Sequence, residues 1–517
     1  MSEVSNQKPG DRIFRPRRLN KIHLRRVLGI PGLFSAGYGD VGSSIYYGLG
    51  LIAIVALGAT PIVLAIAGII YIFNALSYAE GGAMLPEAGG SASFARHGFN
   101  DLVGFIAGWA LMLSYIATMA ISAYTIPPYL AYFWPALKQP ILGTAVSMGI
   151  IVFLMLVNVV GVKESARVNI VFIVVDILTQ ITLVVIGALL ILRPHPEVLF
   201  QHIFGAGNWP STHNLIFGIA IAALCFTGVE TVSQLGEETR KPEKRIPQTY
   251  VIMIVAVLIL FAGISVVALS AMTPQELGDP VNGWARDPVA GIANSISAVL
   301  SPETMADVFT SERAPHIIFV WFFTGVRHVL PVLVALLAAS ILLTATNAGL
   351  MGISRLTYNL SSHNQLPEGL NSVHTKFRTP YRAIVLFCII SLLLLVPGLF
   401  APDFFSSLGS LYVFGSLLCF MLAHAAILAL RIRKPDMDRP FKLGLNMTIK
   451  GRQLPVTALL GFMATGAVWV IILVTQPFSR WAGIIWMIIG LIVYSIYRFS
   501  RHMSFLKAGS KRKVYPE

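Results

Sequence analysis

The sequence predicts an all-α integral membrane protein of about twelve transmembrane helices. The chain of 517 residues is 56% hydrophobic and only 12% charged, with a mean hydropathy of +0.73, and this composition excludes an ordinary soluble domain. Apolar runs long enough to cross about 30 Å of hydrocarbon recur along the chain, and two of them are interrupted by small and polar residues. The predicted spans are 30–55, 60–85, 101–132, 140–160, 169–192, 214–236, 249–272, 329–353, 383–401, 404–430, 455–476 and 481–500.

Both ends of the chain are polar and basic. Residues 1–28 lack the apolar core and cleavage site of a signal peptide, so we expect the first span to stay in the membrane. Residues 501–517 form a basic tail that fits contact with a membrane surface.

The distribution of charge predicts the topology. Lys and Arg concentrate in the loops after the second, fourth, sixth, eighth and tenth spans, whereas the loop 273–315 on the opposite side is rich in Asp and Glu. This positive-inside pattern predicts an even number of spans, with both termini in the cytoplasm. The expected location is the plasma membrane. Topology therefore accounts for the net charge of +14 without nucleic acid as a partner. The loop cations include Arg96, Lys163, Arg167, Arg240, Lys241, Lys244, Arg245, Arg355, Lys376, Arg378, Arg382, Arg431, Arg433, Lys434, Arg439 and Lys442.

The sequence contains no motif that is typical of an enzyme active site. There is no phosphate-binding loop, zinc-ligand spacing or nucleophile elbow, and no soluble segment is long enough for a catalytic domain. Cys225, Cys388 and Cys419 stand singly in apolar runs, which excludes paired spacing for a metal or a disulfide. We expect neither an enzyme, nor a cofactor, nor a bound metal.

The two interrupted spans predict a transporter. The first span contains Gly39 to Ser44 with Asp40 at membrane depth, and the sixth contains Thr227 and Gly228 followed by Glu230. A pair of broken spans at corresponding positions is typical of inverted repeats that meet at a midplane binding site. The predicted repeats are 29–192 and 213–430, the second including the extracellular loop 273–315, and spans eleven and twelve at 455–500 lie outside them.

Four motifs in order give the chain a family resemblance. The motifs are Ser77 to Glu80 with Pro86 to Ser91, Ala107 to Trp109, Phe226 to Glu230 with Glu237 to Pro247, and Ser354-Arg355 with Leu366-Pro367. By these motifs the chain is similar to the amino acid, polyamine and organocation (APC) superfamily of permeases, and the resemblance implies a LeuT-type fold of five plus five helices with broken first and sixth helices.

The resemblance implies where substrate would bind. In these permeases the first-helix loop cradles a carboxylate; here Ser44 replaces its second glycine, and Asp40 replaces an aliphatic residue beside the amine end of the site. A negative charge at that place favours a cationic group. The candidate substrate-binding residues are Gly39, Asp40, Gly42, Ser43, Ser44, Tyr47, Ser114, Thr118, Phe226, Thr227, Gly228 and Tyr412.

Ion coupling is assigned to two further acids. Glu230 follows the sixth-helix break, and Asp176 lies where related permeases carry a lysine in place of sodium, near Ser340 and Thr344 by resemblance. A structural reading stays open for each: Asp40 as a hydrogen-bonding acid, Glu230 as a helix cap and Asp176 as a packed polar group.

The predicted function is import of an amino acid or related organic amine by alternating access, driven by protons. The alternative is potassium-proton symport, because residues 38–44 resemble the first helix of KUP potassium transporters, and Asp40, Tyr47, Thr118 and Tyr412 resemble the KimA potassium site. Ser114, however, stands where KimA has a second aspartate, and the large cytosolic domain of both potassium families is missing.

Overall fold

The computed structural model describes residues 26–161, 166–300, 317–372, 374, 377, 379–401, 404–449 and 452–506. Predictions for residues 1–25, for Lys163, Lys376 and Arg378, for 301–316 and for the tail beyond 506 lie outside the described residues.

The described chain is almost entirely helical, with one short hairpin near its C-terminal end, in which Asn446 lies opposite Pro455. Its elements are α1 Ile30–Ser43, α2 Ile45–Ala56, α3 Thr60–Met84, α4 Ser91–Gly98, α5 Asp101–Leu130, α6 Pro140–Val160, α7 Ala166–Gly187, α8 Pro196–Phe204, α9 Thr212–Ala222, α10 Glu230–Gln234, α11 Pro242–Ala271, α12 Pro274–Gly278, α13 Pro288–Val299, α14 Ile317–Ser362, α15 Tyr381–Leu395, α16 Phe404–Arg433, β1 Asn446–Ile449, β2 Arg452–Pro455, α17 Val456–Thr475 and α18 Pro477–Ser500.

Twelve membrane crossings fit this helix set. Eleven helical stretches among the described residues are long and apolar enough to cross a membrane, and the first, Ile30–Met84, has 55 residues. At about 1.5 Å per residue it is far longer than one span of roughly 30 Å. It is divided at Leu57, whose φ of 46° ends α2, and Pro61 in the first turn of α3 starts the second crossing. The predicted all-α membrane architecture is thereby confirmed.

Some helices are longer than the predicted spans. The seventh span, predicted as 249–272, begins at Pro242, and the eighth, predicted as 329–353, is the interior of Ile317–Ser362. Hydropathy reports the length inside hydrocarbon, whereas backbone hydrogen bonds continue a helix into polar residues beyond it. Helix ends outside the apolar zone are therefore not predicted by hydropathy.

The interior of the bundle is formed by α5, α16 and the interrupted helices. In the most apolar window of α5 83% of residues are buried, against 28% for α6 and α18, whose apolar faces suit lipid. α1 lies against α10 and α2 lies against α9, so the two interrupted helices cross in antiparallel sense. Their crossing point is at the centre of the bundle, between α5 and α16.

The last helix is fixed to α5 by a reciprocal tryptophan contact. The rings of Trp109 and Trp486 stack with centroids 4.7 Å apart, and each indole N–H donates to the other residue's carbonyl oxygen, at 2.7 Å and 2.9 Å. Buried Arg498 at the end of α18 donates to Asp101 at the start of α5. These contacts hold α18 against the outside of the bundle.

A buried ion pair joins α3 to α16. Arg431 donates to both carboxylate oxygens of Glu80, at 2.7 Å and 2.8 Å, and the backbone N–H of Leu443 donates to the same carboxylate. Both side chains are almost fully buried, so neither charge has water as an alternative partner. Glu80 is therefore a structural anchor between helices.

We expect Arg431→Met to lower the free energy of unfolding by about 3 kcal/mol, because the buried Glu80 charge would keep only Arg439, at 4.0 Å, as a cationic neighbour. Thermal unfolding of the purified protein in detergent measures the loss. Lys434→Met, at an exposed position one turn further on, is the matched control and should leave stability near that of the wild type. Equal stability of the two variants would show that the pair contributes little.

Candidate functional site

The sixth span is unwound where the sequence predicts a break. After α9 a short 3-10 turn ends at Phe226, Thr227 is extended with φ −80° and ψ 161°, and Gly228 has φ 94°, a left-handed conformation that favours glycine. A Cβ atom on Gly228 would lie 2.7 Å from Cγ of Asp40. Glycine is therefore required both by its backbone angle and by the close approach of α1.

The interruption of the first span is narrower than the sequence predicts. Only Ser44 separates α1 from α2, and its backbone keeps right-handed helical angles. The Ser44 N–H bonds the Val41 carbonyl at 3.1 Å, and the Ser43 hydroxyl donates to the Asp40 carbonyl at 2.8 Å. The Ser43 hydroxyl and the Ser44 N–H thus bond backbone carbonyls locally, and the span passes through Ser44 with little unwinding.

Asp40 lies beside the unwound segment, and only one of its two carboxylate oxygens has a hydrogen-bond partner among the described residues. Its side chain is buried, and its Oδ2 accepts a 2.6 Å hydrogen bond from the Thr231 hydroxyl. Among the residues that the structure describes, Oδ1 has no hydrogen-bond partner. A buried carboxylate oxygen without a donor is costly, so the position suits a ligand that supplies one.

Glu230 forms a second buried acid at the same place. Its carboxyl group lies against the backbone N–H groups of Gly228 and of its own residue, and its charge interacts with that of Asp40. Within the described part of the chain, Oε2 of Glu230, the Tyr115 hydroxyl and Nε2 of Gln234 also have no hydrogen-bond partner. No ion pair in the described ranges includes either acid, so the cluster brings two buried acids together without a cationic partner.

We call this group the central site and define it by Asp40, Gly228, Glu230, Thr231 and Tyr115. Its chemistry suits a bound cationic group or a proton exchanged between two acids. Neither role needs a metal or an organic cofactor.

Aromatic and hydroxyl side chains border the central site on the α2, α5 and α16 sides. The Tyr47 hydroxyl bonds that of Ser44 at 3.1 Å, and Tyr412 interacts with the Thr118 hydroxyl and with Tyr47. Phe226 stacks on Tyr71 with ring centroids 5.1 Å apart. These predicted residues therefore lie in one region of the bundle.

Four of the predicted site residues make contacts with neighbouring residues of the helix bundle. The hydroxyl of Ser114 bonds that of Ser416 at 2.7 Å, joining α5 to α16, and that of Thr227 donates to the Leu224 carbonyl at 2.7 Å. A Cβ on Gly39 would lie 3.3 Å from the Ile173 side chain, and one on Gly42 would meet the Tyr38 ring. Their contacts are to the protein's own groups, so the small size of both glycines serves packing.

Asp176 belongs to a separate polar cluster. Its Oδ1 accepts a 2.5 Å hydrogen bond from the Tyr46 hydroxyl and its Oδ2 a 2.7 Å bond from Gln180. Ser340 and Thr344, expected beside it, donate instead to carbonyls of their own helix. The Tyr46 carbonyl accepts from the Tyr129 hydroxyl, which also accepts from the N–H of Val289 in α13. A chain of hydrogen bonds therefore links Asp176 to a loop helix.

The end of the bundle near the start of α1 is closed by hydrogen bonds and charge. The N–H groups of Val27 and Leu28 donate to the Glu238 carbonyl, and the Arg240 N–H donates back to Leu28. The side chain of Glu238 pairs with Arg355 of α14 at 3.0 Å. These contacts tie α1, α14 and the segment after α10 together.

The loop after α3 completes this closure. The carboxylate of Glu237 accepts from the Ala88 N–H at 3.2 Å, and Glu87 pairs with Arg96 and His97 of α4. Burial alone would raise the pKa of Glu87, but the His97 hydrogen bond and the Arg96 charge outweigh it and lower that pKa to about 2. The Glu87 carboxylate is therefore ionised at neutral pH and holds the loop to α4.

The opposite end is closed by backbone contact. A Cβ on Gly50 of α2 would clash with the Ala285 carbonyl oxygen, and one on Gly278 would lie 2.8 Å from the Ala53 carbonyl oxygen. The loop between α12 and α13 thus rests directly on α2. The central site is enclosed from both ends.

Five residues around the two acidic clusters were not predicted from the sequence: Thr231 and Tyr115 in the central site, Gln234 beside it, and Tyr46 and Gln180 beside Asp176. Thr231 carried a signal, since it follows Glu230 directly at the break. The others lie inside regular helices, where a polar residue in an apolar run indicates burial without naming its partner.

Known proteins resemble this chain over most of its length. The family model for amino acid permeases matches residues 28–494. The chain is 26% identical to the branched-chain amino acid permease BcaP of Bacillus subtilis, over 92% of this chain and 93% of that protein. It is also 26% identical to the human large neutral amino acids transporter small subunit 2, over 86% of this chain and 75% of that protein. The mouse Asc-type amino acid transporter 1 is 25% identical, over 76% of this chain and 68% of that protein.

We expect Gly228→Ala to destabilise the protein by about 1–3 kcal/mol, because alanine is strained at this φ and its Cβ would meet Asp40. Thermal unfolding in detergent measures this. The control is Gly149→Ala, at a helical position with open space around the added Cβ, where stability should be unchanged or slightly higher. A Gly228→Ala variant as stable as wild type would mean that the two interrupted helices separate readily at this point.

Proposed function

Because the chain belongs to the amino acid permease family of the APC superfamily, we propose that it imports an amino acid or a related organic amine by proton-coupled secondary transport. It is a multi-pass membrane transporter of a small molecule and not an enzyme. The named relatives are a branched-chain amino acid permease, a large neutral amino acids transporter and an Asc-type amino acid transporter, which supports an amino acid over other amines.

The observation that carries the proposal is the free Oδ1 of Asp40 beside Gly228. A substrate ammonium group would donate to this oxygen and to Oε2 of Glu230, replacing two missing hydrogen bonds and balancing the negative charge of the site. Thr231 would hold the other Asp40 oxygen in place. The α-ammonium group of an amino acid meets these demands.

The substrate carboxylate would bind the backbone at the breaks. The N–H groups of Ser44 and Thr227 are occupied by the Val41 and Leu224 carbonyls. In this proposal those bonds exchange for bonds to the carboxylate when substrate enters. The cost of opening them would be offset by charge-assisted hydrogen bonds.

Transport would proceed by alternating access between two inverted repeats, 29–192 and 213–430. Opening the contacts of Leu28, Glu238 and Arg355 would admit water from one side, and lifting the α12–α13 loop from Gly50 would admit it from the other. Cations flank the Glu238 end, whereas Glu276 and Asp279 lie in the opposite loop. This supports a cytoplasmic Glu238 end and cytoplasmic termini. We place the protein in the plasma membrane because import into the cell is the proposed activity.

A panel uptake assay tests the function. Purified protein in proteoliposomes should accumulate at least one labelled amino acid when the outside is acidic, and rubidium should not compete. Potassium-proton symport, favoured by the side-chain hydrogen bond of Tyr412 with Thr118, predicts the reverse. Rubidium accumulation without amino acid uptake would replace the proposal with that alternative.

We expect Asp40→Asn to lower amino acid uptake at least 100-fold, because the amide replaces the charged acceptor of the ammonium group. Equilibrium binding of the labelled substrate should fall in parallel. Asp279→Asn, an exposed acid in the α12–α13 loop, is the control and should transport normally. Normal uptake by Asp40→Asn would leave Asp40 with a purely structural role.

Coupling is proposed for Glu230, Asp176 or both. Glu230 would exchange its proton with the substrate site directly, whereas Asp176 would act through Tyr46, Tyr129 and the α13 loop helix. Loss of a proton from Asp176 would change the hydrogen bond to Tyr46 and hence the support of that loop. Substitution of Glu230 and substitution of Asp176 should therefore have different effects on transport.

We expect Asp176→Asn to retain exchange of labelled for unlabelled substrate. The stimulation of its uptake by an inward proton gradient should be at least tenfold smaller than in the wild type. Glu230→Gln should reduce both. The measurement is exchange and gradient-driven uptake in the same proteoliposomes, with Asp279→Asn again as control. Full gradient stimulation in Asp176→Asn would remove Asp176 from coupling.

A further inference from the structure

A positively charged surface lies at the end of the bundle where the chain enters α1. Arg26 precedes that helix, and Arg240, Lys241 and Lys244 lie at the start of α11; all four residues are exposed. None of these cations belongs to an ion pair of the described residues, and Glu243 in the same stretch offsets only one charge. Because like charges this close repel one another, the surface favours a bound anion. We call these four cations the basic collar.

The basic collar lies on the backbone contacts that close this end of the bundle. Leu28 forms a parallel bridge with Thr239, and the Arg240 N–H donates to the Leu28 carbonyl oxygen at 3.0 Å. Nε of Arg240 also donates to the Arg26 carbonyl oxygen at 3.3 Å. The basic collar therefore includes residues of two segments, the one that enters α1 and the one that follows α10. A movement that opens this end must separate Arg26 from Arg240.

The exposed face of α11 places the basic collar at the membrane surface. Lys244 begins a row of exposed residues that becomes apolar further along the helix. The row consists of Lys244, Gln248, Val251, Ile252, Val255 and Ile259. Their spacing keeps them on one side of the helix, so the apolar part of the row faces lipid. Lys244 lies seven residues before Val251, about 10 Å along the axis, and its long side chain can reach the lipid headgroups.

Neighbouring residues indicate what occupies the basic collar. Val27 is 54% exposed beside Arg26, which offers apolar surface to lipid. Lys241 has φ 52° and ψ 60°, a left-handed conformation that glycine or asparagine adopts more easily, and a lysine held in it indicates a use for the charge. Residues 1–25 carry seven Lys and Arg against two Asp and Glu, so repulsion disfavours that segment as the occupant.

We propose that the basic collar binds the phosphate headgroup of an anionic lipid in the cytoplasmic leaflet, and that the bound lipid holds the Glu238 end closed. Lys and Arg side chains donate charge-assisted hydrogen bonds to phosphate oxygens. A phosphate bound by both Arg26 and Arg240 joins the two segments and offsets the repulsion between their charges. Since opening separates these segments, the lipid binds the closed end more tightly and shifts the protein toward it. This inference takes alternating access from the proposed function and does not depend on the substrate.

Lipid binding is measured directly on the purified protein in detergent. Wild type should bind labelled phosphatidylglycerol at least fivefold more tightly than phosphatidylcholine, and the double variant Lys241→Asn with Lys244→Gln should lose this preference. Asparagine suits the left-handed backbone at position 241. Lys434→Gln, at an exposed position after α16, is the matched control and should keep the preference. An unchanged preference in the double variant, or equal displacement of the lipid by glycerol 3-phosphate, would overturn the proposal.

Cysteine labelling tests the effect of the lipid on closure. Thr239 is buried and paired with Leu28, and the native cysteines are buried, so Thr239→Cys reports opening of this end. Uncharged N-ethylmaleimide should label it at least threefold more slowly in vesicles with about 30 mol% phosphatidylglycerol than in phosphatidylcholine alone. The double variant should show no such difference. Ser500→Cys, exposed at the end of α18, corrects for the effect of membrane charge on thiol ionisation.

The outcomes separate this inference from the proposed function. Labelling that does not depend on phosphatidylglycerol, in a protein that takes up amino acids, would overturn the lipid effect and leave the proposed function intact. Lipid-dependent binding and labelling in a protein that transports no amino acid would support the role of the basic collar and contradict the proposed function.

Discussion

The close approach of Asp40 to the unwound segment at Gly228 is the constraint on which the rest of the architecture depends. Unwound backbone at membrane depth persists only when protein shields its polar groups from lipid. The most buried helices, α5 and α16, surround this crossing, whereas α6 and α18 present apolar faces outward. With its most buried helices inside and its apolar-faced helices outside, the bundle encloses the polar groups at the crossing of the two interrupted spans.

Burial at the central site leaves polar groups without hydrogen-bond partners, and this has a cost in free energy. Within the described residues, oxygens of Asp40 and Glu230 and the Tyr115 hydroxyl lack partners, and each such buried group costs on the order of 1–3 kcal/mol. Thr231 relieves only one Asp40 oxygen. A ligand that supplies donors would relieve part of this cost, so binding energy at the centre is available to drive a change of conformation.

Composition and periodicity were sufficient for the helical membrane fold, because hydrocarbon thickness imposes a length on every span. The break at Gly228 was also predictable, since a glycine close to an acid in an apolar run is typical of a span that unwinds at a binding site. The narrowness of the interruption at Ser44 was not predictable. It arises because the Ser43 hydroxyl and the Ser44 N–H bond backbone carbonyls of the same span. The bond of Asp176 to Tyr46 and the Trp109–Trp486 contact join residues far apart in sequence, which local patterns do not specify.

The two closures of the bundle differ in their response to salt. The Glu238 end relies partly on the Arg355 ion pair, whose side chains are 30% exposed for Arg355 and 21% for Glu238, whereas the other end relies on backbone contact at Gly50 and Gly278. Added salt weakens a partly exposed ion pair of this kind and leaves steric contacts unchanged. Rising ionic strength on the Glu238 side therefore favours opening toward that side alone, so that the direction in which the resting protein faces depends on the electrolyte of one compartment.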